Sequence, residues 1–278
     1  MQSSTFTITY IGGPTALIEI AGLRLLTDPT FDAAGGNYTT GTVTLSKISG
    51  PAIPASSIGI TDAVLLSHDH HADNLDHSGR QLLATTKMVL TTEAGAARLG
   101  NQALGLVPWQ SVDLPTPDGR TLRITGTPAR HGPSNMDRGP VTGFVLTLLD
   151  TPERSIYISG DTVWYKGVAD VARRFSIHTA VLFLGAARVQ SVGTFPLTMT
   201  AKDAIKAAIA FPEARIVPVH FDGWKHYSES RADVEAVFRH YKLEGRLHWI
   251  ERGEMQPFSM VTPQQAALAC ATAAPTAQ

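Results

Sequence analysis

Apolar residues in this chain come in short runs, and many of the runs stop at glycine, proline, aspartate or histidine. Phe6 to Tyr10 alternates apolar and polar positions and predicts a strand that Gly12-Gly13-Pro14 ends. Ala16 to Ile20 and Leu23 to Leu26 predict two more, joined by an Ala21-Gly22 turn, and the second runs into Thr27-Asp28-Pro29. Further strands are expected at Ile60 to Ser67, Lys87 to Thr91, Thr142 to Leu149, Ser155 to Ser159, Ala180 to Leu184, Arg215 to Val219 and Leu247 to Ile250. Another, Thr121 to Thr127, returns from a hairpin that turns at Asp118-Gly119. Helical spacing is found at Asp76 to Ala84, Glu93 to Leu99, Thr198 to Phe211 and Ser230 to Tyr241. In the third of these, Thr200 is placed to cap, and Ala204, Ile205, Ala208 and Ile209 form an apolar face. Phe31 to Ile60, rich in Gly, Thr, Ser and Pro, is long for a connection and reads either as a substrate-side loop or as a plain surface excursion.

Helices follow strands in both halves but are scarce before Asp76. That order favours an α/β protein of two packed sheets with helices outside over a single doubly wound sheet, although periodicity alone does not separate the two. The 278 residues, 43% hydrophobic and 17% charged, suit a well-buried globular chain. Residues 1–262 are expected to form one domain and the alanine-rich 263–278 a frayed tail. A formal net charge of -1 gives no electrostatic reason to expect nucleic acid or an anionic membrane as partner. The single cysteine, Cys270, excludes an intrachain disulfide and a cysteine metal site. No apolar run approaches the roughly 20 residues of a membrane span, and Met1 to Tyr10 lacks a signal core, so a cytoplasmic protein is expected. Oligomeric state is left open.

The chemistry concentrates where the strand Val64-Leu65-Leu66 stops at Ser67. Seven of the next nine residues, His68-Asp69-His70-His71-Ala72-Asp73-Asn74-Leu75-Asp76, can ligate a metal or carry a proton. Neutral imidazoles and carboxylates are what zinc or manganese takes as ligands. The alternative is a polar helix start in which Asp73 or Asn74 only caps a turn. Three later strands also end in ligand-type residues: His131 after Thr127-Pro128, Asp161 after Ser159-Gly160, and His220 after Val219. Gathered at one rim, these residues suffice for two ions sharing a carboxylate, which can hold a hydroxide and polarise the bond under attack. Asp28, at a buried strand end before proline, is either a turn former or a group that steadies a ligand histidine. Trp224, Lys225, His226 and Tyr227 follow His220 and are candidates to line a substrate pocket, as are Arg130 and Arg138 beside His131.

Taken in order, these pieces resemble the metallo-β-lactamase superfamily. More narrowly they resemble its branch of predicted metal-dependent hydrolases that includes L-ascorbate-6-phosphate lactonase. The matching segments are Tyr10 to Thr15, Leu26 to Pro29, Leu66 to His70, Asp73 to Asp76, Pro128 to His131, Ser159 to Thr162 and Pro218 to Phe221. The resemblance implies a four-layer αββα sandwich with the metals at one edge. It implies His68, His70 and His131 around one ion, and Asp73, Asp161 and His220 around another, with Asp161 bridging and Asp28 behind the ligands. The family pattern is His-x-His-x-Asp-His. Here His71 and Ala72 separate His70 from Asp73, and Asn74 stands where the last histidine is expected. A one-residue insertion keeps Asp73 as the aspartate and replaces the last histidine by Asn74; without it, Ala72 and Asp73 take those two places. Asp-Asn-Leu-Asp before a helix favours the insertion. The second site is then weaker, or takes a harder ion, or recruits His71. The family branch often carries a histidine where Gly13 stands.

The expected activity is that of a metal-dependent hydrolase. One or two divalent ions, zinc first and manganese or iron as alternatives, hold a hydroxide that attacks a small ester, lactone or amide. Asp73 and Asp161 are the expected catalytic carboxylates. The rival readings are a phosphodiesterase or nuclease of the same superfamily, an iron-dependent redox enzyme, and a binding protein with a degenerate site.

Overall fold

The structure, a computed structural model, describes residues 5–100 and 102–260. Its strands are β1 (Thr5–Gly12), β2 (Thr15–Ile20), β3 (Leu23–Thr27), β4 (Asn37–Thr40), β5 (Val43–Ser46), β6 (Ala63–Leu65), β7 (Val89–Thr91) and β8 (Ala103–Gly105) in the first half. The second half adds β9 (Ser111–Pro115), β10 (Thr121–Pro128), β11 (Thr142–Leu148), β12 (Ser155–Ile158), β13 (Ile177–Phe183), β14 (Arg215–Val219) and β15 (Met255–Ser259). The helices are α1 (Ala55–Ile58), α2 (His77–Leu82), α3 (Glu93–Leu99), α4 (Lys166–Arg174), α5 (Ala201–Ala210) and α6 (Arg231–His240).

One sheet runs β15-β1-β2-β3-β6-β7-β8 and the other β14-β13-β12-β11-β10-β9. In the first, β15, β1, β2 and β3 pair antiparallel and β3, β6, β7 and β8 parallel. In the second, β9 to β12 pair antiparallel and β12, β13 and β14 parallel. The sheets share a core that includes Ile8, Ile18 and Leu65 from one and Ile124, Leu146 and Phe183 from the other. Outside the first sheet, α1 and α2 cover Val64 and Leu66 through Ile58 and Leu82. Outside the second, α4, α5 and α6 cover Leu182 and Leu184 through Val168, Ile205 and Phe238. That is the expected αββα sandwich. Strands β6 and β13 are buried on both faces, which is why they read as unbroken apolar runs rather than as alternation.

Capping fixes where two of the later helices begin. Thr200 and Ser230 each accept a hydrogen bond from the N–H three residues on, and Asp203 and Asp233 bond back, so both start with a capping box. Three elements depart from expectation. Leu247 to Ile250 is not a strand: Leu247 makes one isolated bridge to Ile216, and His248 N–H donates to the Ile216 carbonyl. The last strand is β15, which pairs with β1 at the sheet edge. Pro257 is tolerated there, and Phe258 alone is buried, so the segment carries little apolar signal. Helix α4 went unread because its apolar face is only Val168 and Val171. The Phe31 to Ile60 stretch is not structureless; it holds the β4–β5 hairpin and α1. The segment 263–278, expected to be a tail, lies outside the described residues. Among the described residues no helix is long and apolar enough to cross a membrane.

Candidate metal centre

Five strand ends meet at one rim of the sandwich. Ser67 and His68 follow β6, His131 follows β10, Asp161 follows β12, His220 follows β14 and Asp28 follows β3. The sheets are tied at this point by the Thr142 N–H, which donates to the Ser67 carbonyl at 3.0 Å. Gly160 permits the approach: a Cβ there would lie 2.8 Å from Ser67 Cβ and 2.5 Å from the Thr142 carbonyl oxygen. His220 (φ 59°) and Asp28 (φ 25°) are two of the few non-glycine residues in the left-handed region, a conformation costing about 1–3 kcal/mol each. The turn at His220 is held by its N–H, which donates to the Gly13 carbonyl at 2.6 Å.

Hydrogen bonds fix the tautomer of each histidine. His131 Nδ1 lies 3.1 Å from the Leu197 carbonyl and His220 Nδ1 3.3 Å from that of Leu184, so both donate there, and Nε2 is the nitrogen that carries the lone pair when either ring is neutral. His70 is turned the other way: Nε2 donates to the Arg138 carbonyl at 2.9 Å, and Nδ1 keeps the lone pair. Behind His68, Ser67 Oγ is 2.7 Å from Asp28 Oδ1 and 2.9 Å from His68 Nδ1. The serine hydroxyl donates to the carboxylate and accepts from Nδ1–H, which leaves the His68 lone pair on Nε2, 2.8 Å from His71 Nδ1. Asp28 thus reaches His68 through Ser67, a relay the sequence reading missed. The serine is ordinary in sequence, and only the contact reveals it.

The rings of His68, His70, His71 and His131 cluster, with centroids 4.3 Å apart for His70 and His71 and 5.2 Å for His68 and His131. Burial is the largest effect on His68, His71 and His131: it holds the first well below the usual imidazole range and the other two down at about 3. All three are therefore uncharged at neutral pH. On the far side, His220 Nε2 is 3.3 Å from Asp161 Oδ1 and 3.6 Å from Asp73 Oδ2. Burial disfavours the charged imidazole, but these two carboxylates outweigh it and push the group up to about 9. Asp161 presents its other oxygen, Oδ2, 3.8 Å from His131 Nε2, so the carboxylate has one oxygen toward each histidine set. Burial raises its pKa, and the charge of Asp73 adds to the rise. Asp73, also buried, is nevertheless held well below the usual carboxylate range by His226 and His220.

Groups whose donor atoms converge within 4.8 Å are His68/His70/His71, His68/His131/Asp161 and Asp73/Asp161/His220. Whether these residues suit a cation can be judged from their unmet polar atoms. His70 Nδ1, His220 Nε2, Asp161 Oδ2, Asn74 Oδ1 and Asp28 Oδ2 are buried with no hydrogen-bond partner. The three oxygens can only accept, and His70 Nδ1 carries a lone pair; His220 Nε2 offers one once its proton is displaced, and such a set of oxygen and imidazole nitrogen donors suits a divalent cation. Asn74 donates its amide to Asp161 Oδ1 at 3.2 Å, so it reaches the cluster from its own position.

Residues expected near the substrate take different places. A small pocket opens onto the cluster, lined by His71, Asp73, His131, Arg138 and His226 and by Tyr38, Thr40, Val43, Leu45, Ala187, Val189 and Leu197. His226 Nε2 binds Asp73 Oδ2 at 3.0 Å. Trp224 is buried with Lys47 Nζ 5.3 Å from its ring and the Tyr38 ring tilted against it at 5.3 Å, so it supports the hairpin from behind. Tyr227 packs on His220, with ring centroids 4.5 Å apart. Lys225 is exposed; its N–H holds the Ser46 carbonyl at 3.0 Å, so it serves the hairpin through its main chain. Arg130 stacks on Tyr165 at 4.5 Å and leaves the pocket to Arg138. Asp69 pairs with Arg98, its Oδ2 2.8 Å from Nε, and Asp76 caps α2.

A two-sheet sandwich with imidazoles and carboxylates gathered at one edge, under an open pocket, defines the class of metal-dependent hydrolases. The chain belongs to the β-lactamase superfamily, whose domain matches residues 23–221. It is 26% identical over 267 residues to the UPF0173 protein YddR of Bacillus subtilis, covering 90% of this chain and 99% of that one. A UPF0173 metal-dependent hydrolase of Pyrobaculum calidifontis is 26% identical over 252 residues, covering 84% of this chain and 93% of that one. Among solved structures, isothiocyanate hydrolase from Delia radicum gut bacteria superposes with a TM-score of 0.77 at 26% identity, covering 91% of this chain and 99% of that chain. Fold, cluster and relatives agree: the chain is a metal-dependent hydrolase of this superfamily.

Proposed function

We propose that the chain hydrolyses a small, uncharged electrophile carrying an apolar substituent, such as an ester, lactone or amide, with divalent ions held at the strand-end cluster. The observation that carries this reading is the placement of His71, Asp73 and His131 of the cluster in the lining of a pocket that Val43, Leu45, Val189 and Leu197 also line. In this reading His68, His70 and His131 would hold one ion, and Asp73 and His220 another, with Asp161 a candidate for both sets. Zinc is the first choice for the imidazole-rich set, and manganese or iron suits the carboxylate-rich one. A divalent ion there supplies Lewis acidity and lowers the pKa of water to near neutrality. Asp73, steadied by His226, orients the attacking water, and Asp161, whose pKa burial raises, is the carboxylate suited to take up its proton. The apolar walls seat the substituent and exclude bulk water. Asp28 and Ser67 hold the His68 proton on Nδ1, which keeps its lone pair on Nε2.

A second reading is favoured by the likeness to isothiocyanate hydrolase. An isothiocyanate is also a small neutral electrophile on an apolar group, and water splits it to an amine and carbonyl sulfide. The test is elemental analysis of protein purified without chelator, followed by a panel of esters, lactones, amides, isothiocyanates and phosphodiesters. The expected result is at least one ion per chain, lost together with hydrolysis of neutral carbon electrophiles in His68→Ala. Asn74→His is expected to raise occupancy of the second set. Metal-free wild type, or turnover of phosphodiesters alone, would overturn the proposal.

A further inference from the structure

We infer that His71, the residue added between the two histidines and the aspartate of the cluster, is itself a metal ligand and gives the imidazole set a fourth nitrogen. The inference rests on the reading of the cluster as a metal centre and concerns which residues complete it. Three observations point to it. The donor atoms of His68, His70 and His71 lie within 4.8 Å of one another, a set of its own on one short stretch of chain. The His71 ring is packed among the other three, with centroids 4.3 Å from His70, 4.8 Å from His68 and 5.1 Å from His131. Its Nδ1 stands 2.8 Å from His68 Nε2.

That last contact is the informative one. His68 Nδ1 already holds its proton against Ser67, so the proton between the two rings belongs to His71 Nδ1, and His68 Nε2 accepts it. The lone pair that an ion needs from His68 is thus engaged by His71. Two nitrogens bound to one tetrahedral ion at about 2.0–2.1 Å stand roughly 3.3 Å apart. The observed 2.8 Å is therefore a few tenths of an ångström short of that separation, a change the polar turn that follows can absorb. Once the ion takes His68 Nε2, His71 loses its acceptor. Moving its proton from one ring nitrogen to the other frees Nδ1 for the same ion. His71 also lies on the wall between the pocket above the cluster and a second cavity lined by His70, His77 and Arg80, so it is reachable from both.

Four imidazoles favour zinc, cobalt or nickel over manganese and magnesium, which prefer oxygen ligands. The test loads wild type, His71→Gln and His71→Asn with one equivalent of cobalt(II) and counts the shifted imidazole N–H signals by proton NMR. Circular dichroism confirms that the variants fold, and the glutamine can still donate to His68 Nε2. The expected result is one signal fewer in both variants, with a cobalt affinity lowered by more than the roughly 100-fold that a change outside the ligand shell produces. The same number of signals in wild type and variants would overturn the inference while leaving the metal centre intact. Wild type that binds no cobalt would overturn the metal reading and this inference with it.

Discussion

Lys47 Nζ lies 2.7 Å from Asp76 Oδ2, with both side chains buried. The pair joins the foot of the β4–β5 hairpin, which walls the pocket, to the turn that follows the histidine cluster. The two partners are not equally provided for. Asp76 also accepts the N–H groups of Phe31, Asp32 and Gly79 at 2.7–2.9 Å, whereas among the described residues the Lys47 ammonium has, besides it, the Trp224 ring alone. Removing one partner of a buried pair costs about 3–5 kcal/mol, because the other charge is left uncompensated. Asp76→Ala is therefore expected at or above that range, and Lys47→Met below it, since the carboxylate keeps three donors. Urea denaturation of both variants checks this, and equal losses would contradict the asymmetry.

Asp28 and Ser67 act on the metal only through His68. Ser67→Ala removes the acceptor for His68 Nδ1–H and frees the ring to change tautomer, while the Ser67 N–H still donates to Asp28 Oδ1 at 2.9 Å. Metal affinity should fall by about 10–100-fold with the melting transition of the metal-free protein little changed. Competition with a chelator of known affinity measures it. An unchanged affinity would mean that the relay has no part in holding the ion.

The cluster was legible in the sequence because its residues sit at the ends of apolar runs, where a strand must deliver them to a rim. His68, His131, Asp161 and His220 each follow such a run, and the structure brings all four together. Asp28 was left between two readings, and only its contact with Ser67 decides between them. The β4–β5 hairpin was not legible as strands: Asn37–Thr40 and Val43–Ser46 are largely exposed and carry no sustained alternation. Strand β15 was missed for a related reason, since an edge strand with one buried residue gives no period to read. The helix after the cluster was read correctly because Asp76 and the leucines behind it fix both its start and its buried face.

Acid should unfold the chelated protein steeply. His71 and His131 titrate at about 3 in the fold, and in the unfolded chain at roughly 6.5. A folded value below the unfolded one means that the unfolded state takes up protons first. The stability that these groups contribute is present above about pH 6.5 and is lost as the pH falls toward 3. Two such groups give a slope of about 2.7 kcal/mol per pH unit, and His68 shifts in the same direction. His220 has the opposite sign: at about 9 in the fold, its contribution is complete below pH 6.5 and is lost as the pH rises through 9. Stability of the chelated protein should thus peak near neutrality. Denaturation curves from pH 4.5 to 9 test this, and a flat acid limb would show that the imidazoles are not buried as described.

Leu45 separates binding of the substrate from binding of the metal. It lines the pocket from β5 and touches none of the clustered donors, so Leu45→Ala should leave metal content unchanged. The substitution removes apolar surface worth about 1–2 kcal/mol to a substituent seated against it, or roughly 5- to 30-fold in kcat/KM. The loss should fall on substrates with a long apolar group and spare short ones, because only the former reach the hairpin. Comparing kcat/KM for a butyl and a methyl ester in wild type and variant isolates that difference. Equal losses for both esters would place the substituent elsewhere and remove the hairpin from the specificity of the enzyme.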